Sequence, residues 1–264
     1  MVPRSRELTT LIEYAHRLTS GLTLILTLGL VVLARRVYAV GHPVRRAALW
    51  AFVLIIVEAG IGAGIVLLEL VASNSSSLRA AYVAGHLANT MVLIAAMTAT
   101  AAWVESAPRP WSLVTAPASR RALGVGLGLM LLVGASGAVV ALGDTLFPSV
   151  SLRAGLAADF SPGSHFLLRL RVWHPVVAVG VGLYLMGILG AYAVDKNVRI
   201  RTLSRVAVAL VLGQWLLGLV NLLALAPLGL QMAHLLVANV LWISLVWLFV
   251  SLRSYGSAHL LRGA

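Results

Sequence analysis

The chain is 264 residues long, 60% hydrophobic and 11% charged, with a formal net charge of +12. Soluble domains carry about 25% charged residues, so this composition excludes a water-soluble fold and assigns the chain to a lipid bilayer. There is no cysteine, which excludes disulfides, thiolate metal sites and covalent heme attachment through a Cys-x-x-Cys-His motif.

The polar opening MVPRSRELTT runs straight into an apolar stretch, so no signal peptide is expected. A helix needs roughly 20 apolar residues to cross a bilayer. Seven stretches qualify: Leu11–Leu33, Ala47–Val71, Ala81–Val104, Ala122–Leu142, Val172–Val194, Val206–Ala226 and Gln231–Leu252. The predicted fold is therefore all-α, a polytopic membrane helix bundle with seven transmembrane helices.

The basic residues sit in short connections, which reads as topology information and not as a nucleic-acid footprint. Arg35, Arg36, Arg45 and Arg46 follow the first span; Arg109, Arg120 and Arg121 follow the third; Lys196, Arg199, Arg201 and Arg205 follow the fifth. Arg253 and Arg262 close the tail, giving thirteen basic residues on this side and seven on the other. The richer side is expected to be cytoplasmic, with the N-terminus outside and the C-terminus inside. The Gly143–Arg171 connection, with Asp144, Asp159 and His165, is too long for a simple turn and is expected to lie across the outer face. Gly41-His42-Pro43, Pro117 and Pro227 mark other turns.

An internal repeat relates the first three spans to the last three. Each unit has a histidine near the start of its first span, His16 or His174, and another near the start of its third, His86 or His234. Each second span carries a polar residue, Glu58 or Gln214, amid small ones: Gly60, Gly62 and Gly64, or Gly213 and Gly218. Residues 1–104 and 105–264 are the two expected units, the second opening with the unpaired fourth span. The repeat predicts eight helices where this chain has seven.

All four histidines fall at similar depth near the outer face. One such histidine alone is as readily a hydrogen-bonded bridge between helices. Four at matched depth, two per unit, point to paired axial ligation of two hemes, each iron taking one imidazole from either side. No histidine pair has the close helical spacing of a compact zinc site. Glu13 and His16 share a helix face, and Arg17 is placed to pair with heme propionates. In the second unit Arg171 stands where Glu13 would, and Arg169 and Arg171 are the cationic candidates beside His174. Glu58 and Glu69 are readable as proton relays or as protonated interhelical hydrogen-bond donors. His42 and His259 are expected to be solvated, and His165 is ambiguous. Trp103, Trp111 and Trp173 are expected to be interfacial anchors.

The Glu13-Tyr14-Ala15-His16-Arg17 segment, Gly85-His86-Leu87, His174 and His234 resemble the heme A synthase family over essentially the whole chain. Gly134-Ala135-Ser136-Gly137 and Gly143-Asp144-Thr145-Leu146-Phe147-Pro148 resemble that family's fifth helix and the loop after it. The resemblance implies an oxidoreductase of the cytoplasmic membrane that converts a ring methyl of heme O to a formyl group, for cytochrome oxidase assembly. It implies that His16 and His86, with Arg17, bracket the substrate heme, that Glu13 is the essential carboxylate, and that His174 and His234 hold a resident heme b. It implies as partners a heme O synthase and an electron acceptor such as a quinone, with homo-oligomerisation left open. The family has a further helix ahead of the Glu-x-x-His-Arg segment; either it lies upstream of this chain or the chain is a shortened form. The alternative is a diheme electron-transfer protein of the cytochrome b kind, without porphyrin chemistry, and a third class is a heme chaperone or transporter.

Overall fold

The computed structural model describes residues 8–105 and 117–254. Arg109, Trp111, His259 and Arg262 lie outside the described residues. Among the described residues the chain forms nine helices: α1 Leu8–Val37, α2 Pro43–Leu67, α3 Ser77–Glu105, α4 Pro117–Leu146, α5 Leu152–Phe160, α6 Phe166–Arg171, α7 Trp173–Tyr192, α8 Val198–Leu223 and α9 Leu228–Ser254. Seven helical segments are long and apolar enough to span a membrane, with α6 and α7 counted as the single span Phe166–Tyr192.

The break in that span has a local cause. Pro175 lacks an N–H, and its ring crowds the carbonyl four residues back. That carbonyl belongs to Arg171, where α6 ends. Other helix ends follow the usual chemistry. Pro43 opens α2, a position where its missing donor costs nothing, and the His42 side chain accepts a hydrogen bond from Val44 N. Asn197 caps α8 by accepting from Arg199 N and Ile200 N. Arg35 and Arg36 occupy the last turn of α1, where cations complement the helix dipole.

The repeat expected from sequence has a backbone counterpart at the ends of α2 and α8. Glu69 (φ 54) and Leu225 (φ 60) both take the left-handed conformation just past the helix. Leu70 N then donates to Ile65 O, and Ala226 N to Asn221 O, both at 2.8 Å. These are the same six-residue closing bonds that end many helices on a left-handed residue.

Helix α4 is the common wall, touching α3, α6, α7 and α9, while α3 and α9 also pack directly on each other. The main core gathers Leu123, Leu185, Leu189, Ile200, Leu245 and Leu248 around this wall. Trp242 of α9 donates its indole N–H to Met91 O of α3 at 2.7 Å, tying the two units together through a buried bond. A smaller cluster of Val31, Ala34, Val44 and Ala48 joins α1 to α2. Small residues permit the close approaches: a Cβ on Gly182 would stand 2.5 Å from the Trp215 ring.

The connection between α4 and α7 is folded as α5 and α6 and is held by Arg171. Its guanidinium lies 3.2 Å from Asp144 and 3.9 Å from Asp159. It also donates to Gly143 O at 3.1 Å and Phe147 O at 2.8 Å. His165 caps α6 by accepting from Leu167 N, and its ring lies against Phe147 and Phe166.

Candidate functional site

Helices α1, α3, α7 and α9 begin at the same face of the bundle, because the seven spans alternate in direction. His16 falls eight residues after the start of α1, and His174 falls eight residues after Phe166 at the start of its span. His86 and His234 lie in the second or third turn of α3 and α9.

His16 and His86 come together, with ring centres 6.5 Å apart and planes inclined at 63°. Two imidazoles on opposite sides of one metal, with metal–nitrogen bonds of about 2 Å, put their ring centres about 6 Å apart. The pair thus fits a single shared iron. Beside it, Arg17 and Glu13 form an ion pair at 2.5 Å with side chains 64% and 60% exposed. This pair lies on the open flank of α1, where residues 11–19 are all exposed.

Behind His86, Glu58 is largely enclosed, and its carboxylate has three neighbours from α3. His86 Nδ1 stands 3.1 Å from Oε1. Thr90 donates its hydroxyl to the same oxygen, and Asn89 donates to Oε2 at 2.6 Å. Asn89 also reaches Leu54 O at 3.0 Å, so one amide bridges backbone and carboxylate of α2. Gly62 lies against the imidazole; a Cβ there would be in ordinary contact, 3.8 Å from His86 Cε1.

His174 is oriented differently. Ser136 of α4 donates its hydroxyl to Val133 O at 2.9 Å, and the same oxygen lies 2.9 Å from His174 Nδ1. Nδ1 of His174 thus faces the serine oxygen and the Val133 carbonyl, and a ring that gives its Nδ1 proton to these acceptors is the tautomer that suits the site. The Nε2 lone pair is left free, as a metal ligand requires. Gly137 admits the ring, since a Cβ would stand 3.0 Å from Cε1. His234 is near His174. A Cβ on Gly218 would be 3.4 Å from His234 Cε1. His234 Nδ1 and Gln214 Oε1 are both buried with no hydrogen-bond partner among the described residues.

Three expectations change. Arg171 is committed to the α4–α6 connection, while Arg169, the other cationic candidate, is exposed. Glu69 sits in the left-handed turn after α2, exposed, with its carbonyl accepting from Asn74. His42 is half-buried, stacked on Tyr38 at 4.5 Å, and burial lowers its pKa from the ordinary value; it is a helix cap instead of a solvated loop residue. Ser136, Asn89 and Thr90 join the site without being singled out by the sequence. Asn89 and Thr90 lie three and four residues past His86, a spacing that puts them on one helix face with it.

The family model described as cytochrome oxidase assembly protein, COX15-CtaA, matches residues 2–246. The chain belongs to the COX15-CtaA family. This is the heme A synthase family that the Glu13–Arg17 segment and the four histidines resemble. The family's description is of cytochrome oxidase assembly proteins, and the seven apolar spans agree with a multi-pass membrane protein. Two relatives, each named protoheme IX farnesyltransferase and coming from two strains of Thermus thermophilus, are each 40% identical over 265 residues. The match covers 100% of this COX15-CtaA chain and 43% of each relative, so the chain spans less than half their length.

Proposed function

We propose that the protein is a heme A synthase-like oxidoreductase that oxidises a ring methyl of heme O to a formyl group. The observation that carries this reading is the His16–His86 pair, spaced for one iron at 6.5 Å and flanked by Glu13. His16 and His86 hold the substrate ring, Arg17 faces its propionates, and Glu13 is the carboxylate that takes protons from the reacting carbon. The formyl oxygen comes from water, and methyl plus one water gives formyl, four protons and four electrons. Glu13 and Arg17 are four residues apart, so the guanidinium holds the carboxylate in place. His174 and His234 hold a heme b, with Arg169 as its cation. A heme in that second site supplies one-electron transfer, and the electrons leave to an acceptor such as a quinone. Ser136 faces Nδ1 of His174, and Gly137 and Gly218 leave space for the two imidazoles.

The relatives' name fits beside this reading. It describes proteins more than twice the length of this chain. Farnesyl transfer to protoheme yields the farnesylated ring that this reading takes as substrate. We assign the transfer to the relatives' additional length, and to a heme O synthase as the supplier here. The described carboxylates favour that division. Five of the seven described carboxylates, Glu13, Glu58, Glu105, Asp144 and Asp159, face an arginine or histidine. The other two, Glu69 and Asp195, lie in separate turns after α2 and α7, whereas cations that bind diphosphate are held by clustered carboxylates.

The test is to express the chain in membranes supplied with heme O, extract the bound hemes and weigh them. Hydroxylated or formylated heme, lost in Glu13→Ala, is the expected result. Unmodified heme b at both sites would favour the alternative, a diheme electron-transfer protein of the cytochrome b kind. A chain that takes up no heme would sink both.

A further inference from the structure

The two units differ at one matched position. Glu58 lies four residues before Gly62, the glycine beneath His86; Gln214 lies four residues before Gly218, the glycine beneath His234. Both sit on the middle helix of their unit, α2 or α8, which packs on the helix carrying the second histidine. Gln214 therefore occupies in the second unit the place that Glu58 occupies in the first.

The surroundings of the two differ as well. Glu58 is fastened by Asn89 and Thr90 and stands 3.1 Å from His86 Nδ1. The corresponding positions after His234 are Val237 and Ala238, whose side chains offer no donors. Gln214 Oε1 and His234 Nδ1 have no hydrogen-bond partner among the described residues; His86 Nδ1 also makes no contact of full hydrogen-bond geometry, but it stands 3.1 Å from the Glu58 carboxylate. A metal-bound imidazole bonds through one nitrogen and presents N–H at the other, and the partner of that N–H sets the ring's orientation and basicity. A carboxylate makes the imidazole more electron-donating than a carboxamide does, and a stronger donor favours the oxidised iron.

We propose that Glu58 is a positioning residue for His86, and that the Glu58–Gln214 difference sets the first iron site at a lower potential than the second. The inference rests on the heme reading above. It gives that reading a direction: electrons released in the first unit pass downhill to the second, and from there to a quinone-type acceptor. The fixed hydrogen bonds from Asn89 and Thr90 hold the carboxylate toward His86 and away from the lipid.

The experiment is a spectroelectrochemical titration of the detergent-purified, heme-loaded chain, with His234→Ala used to assign the first site's transition. Two separated midpoints are expected, the lower belonging to the first site. Glu58→Gln copies the second unit and should raise the lower midpoint toward the upper while two hemes remain bound. Gln214→Glu copies the first and should lower the upper one. If Glu58→Gln fails to accumulate, Gln214→Glu and the Thr90→Val and Asn89→Leu variants carry the test, the last two again raising the lower midpoint. Unmoved midpoints in variants that keep both hemes would overturn the inference but leave the heme reading intact. A wild-type chain without heme would overturn both.

Discussion

Arg171 shows how one side chain changes role once its neighbours are known. Its guanidinium serves two carboxylates and two carbonyls, with the side chain 11% exposed. Replacing it with methionine leaves Asp144 and Asp159 buried without their cation, which costs about 3 kcal/mol in comparable pairs. Thermal unfolding in detergent at neutral pH should show the loss. Asp159 adds a pH dependence. Burial already raises its pKa above the ordinary 3.8 while Arg171 opposes the rise, so without Arg171 the folded-state value climbs further. A raised folded-state pKa favours folding at low pH and is lost as pH rises through it. The Arg171→Met penalty should therefore be full at neutral pH and shrink on acidification. Ser136→Ala offers a contrasting case, since it removes the hydroxyl 2.9 Å from His174 Nδ1. It should weaken the second site's heme retention by about 1–2 kcal/mol, read as faster heme loss to an apo-globin acceptor. The sequence announces a cation beside His174, yet only the fold of α5 and α6 decides that Arg171 points to the loop.

Among the elements, the membrane spans are legible in the sequence because apolar length alone defines them. The α6–α7 break is legible in principle from Pro175, but not the cap that His165 supplies, because a loop histidine has no periodic pattern to betray it. The histidine-bearing helices can be paired by the repeat, and the His16–His86 approach agrees with that pairing. The supporting residues are hidden because glycines serve equally for turns, helix contact and ring clearance. Gly137→Leu tests ring clearance: a side chain starting 3.0 Å from His174 Cε1 must displace the imidazole. Heme content should fall from two per chain toward one, whereas Gly29→Leu, which meets nothing within 4 Å, should leave it unchanged. The turn after α2 makes an opposite prediction. Glu69 holds a left-handed φ of 54, a conformation that costs a side chain roughly 1 kcal/mol and glycine almost nothing. Glu69→Gly should raise the unfolding midpoint.

At the scale of the whole molecule, the distribution of charge gives an orientation. The thirteen basic residues at one end of the spans predict that this end faces the cytoplasm. A phosphatase reporter fused to the chain's tail should be inactive in intact cells, and one inserted between α5 and α6 should be active. The reverse pattern would invert the topology. The division into two units is readable from the repeat, but the joint between them is not. Nothing in the sequence pairs Trp242 with Met91, 151 residues away, because an indole and a backbone carbonyl carry no complementary signature.

That joint has a kinetic consequence. Met91 follows His86 by five residues and Trp242 follows His234 by eight, so the bond ties together the helices that carry one ligand of each site. On the proposed reading, the packed pair α3 and α9, and no diffusing carrier, bridges the gap between the two rings. An electron crosses it by tunnelling. The internal hop should then be indifferent to membrane viscosity, while arrival of substrate and departure of electrons to a mobile acceptor should slow as the lipid stiffens.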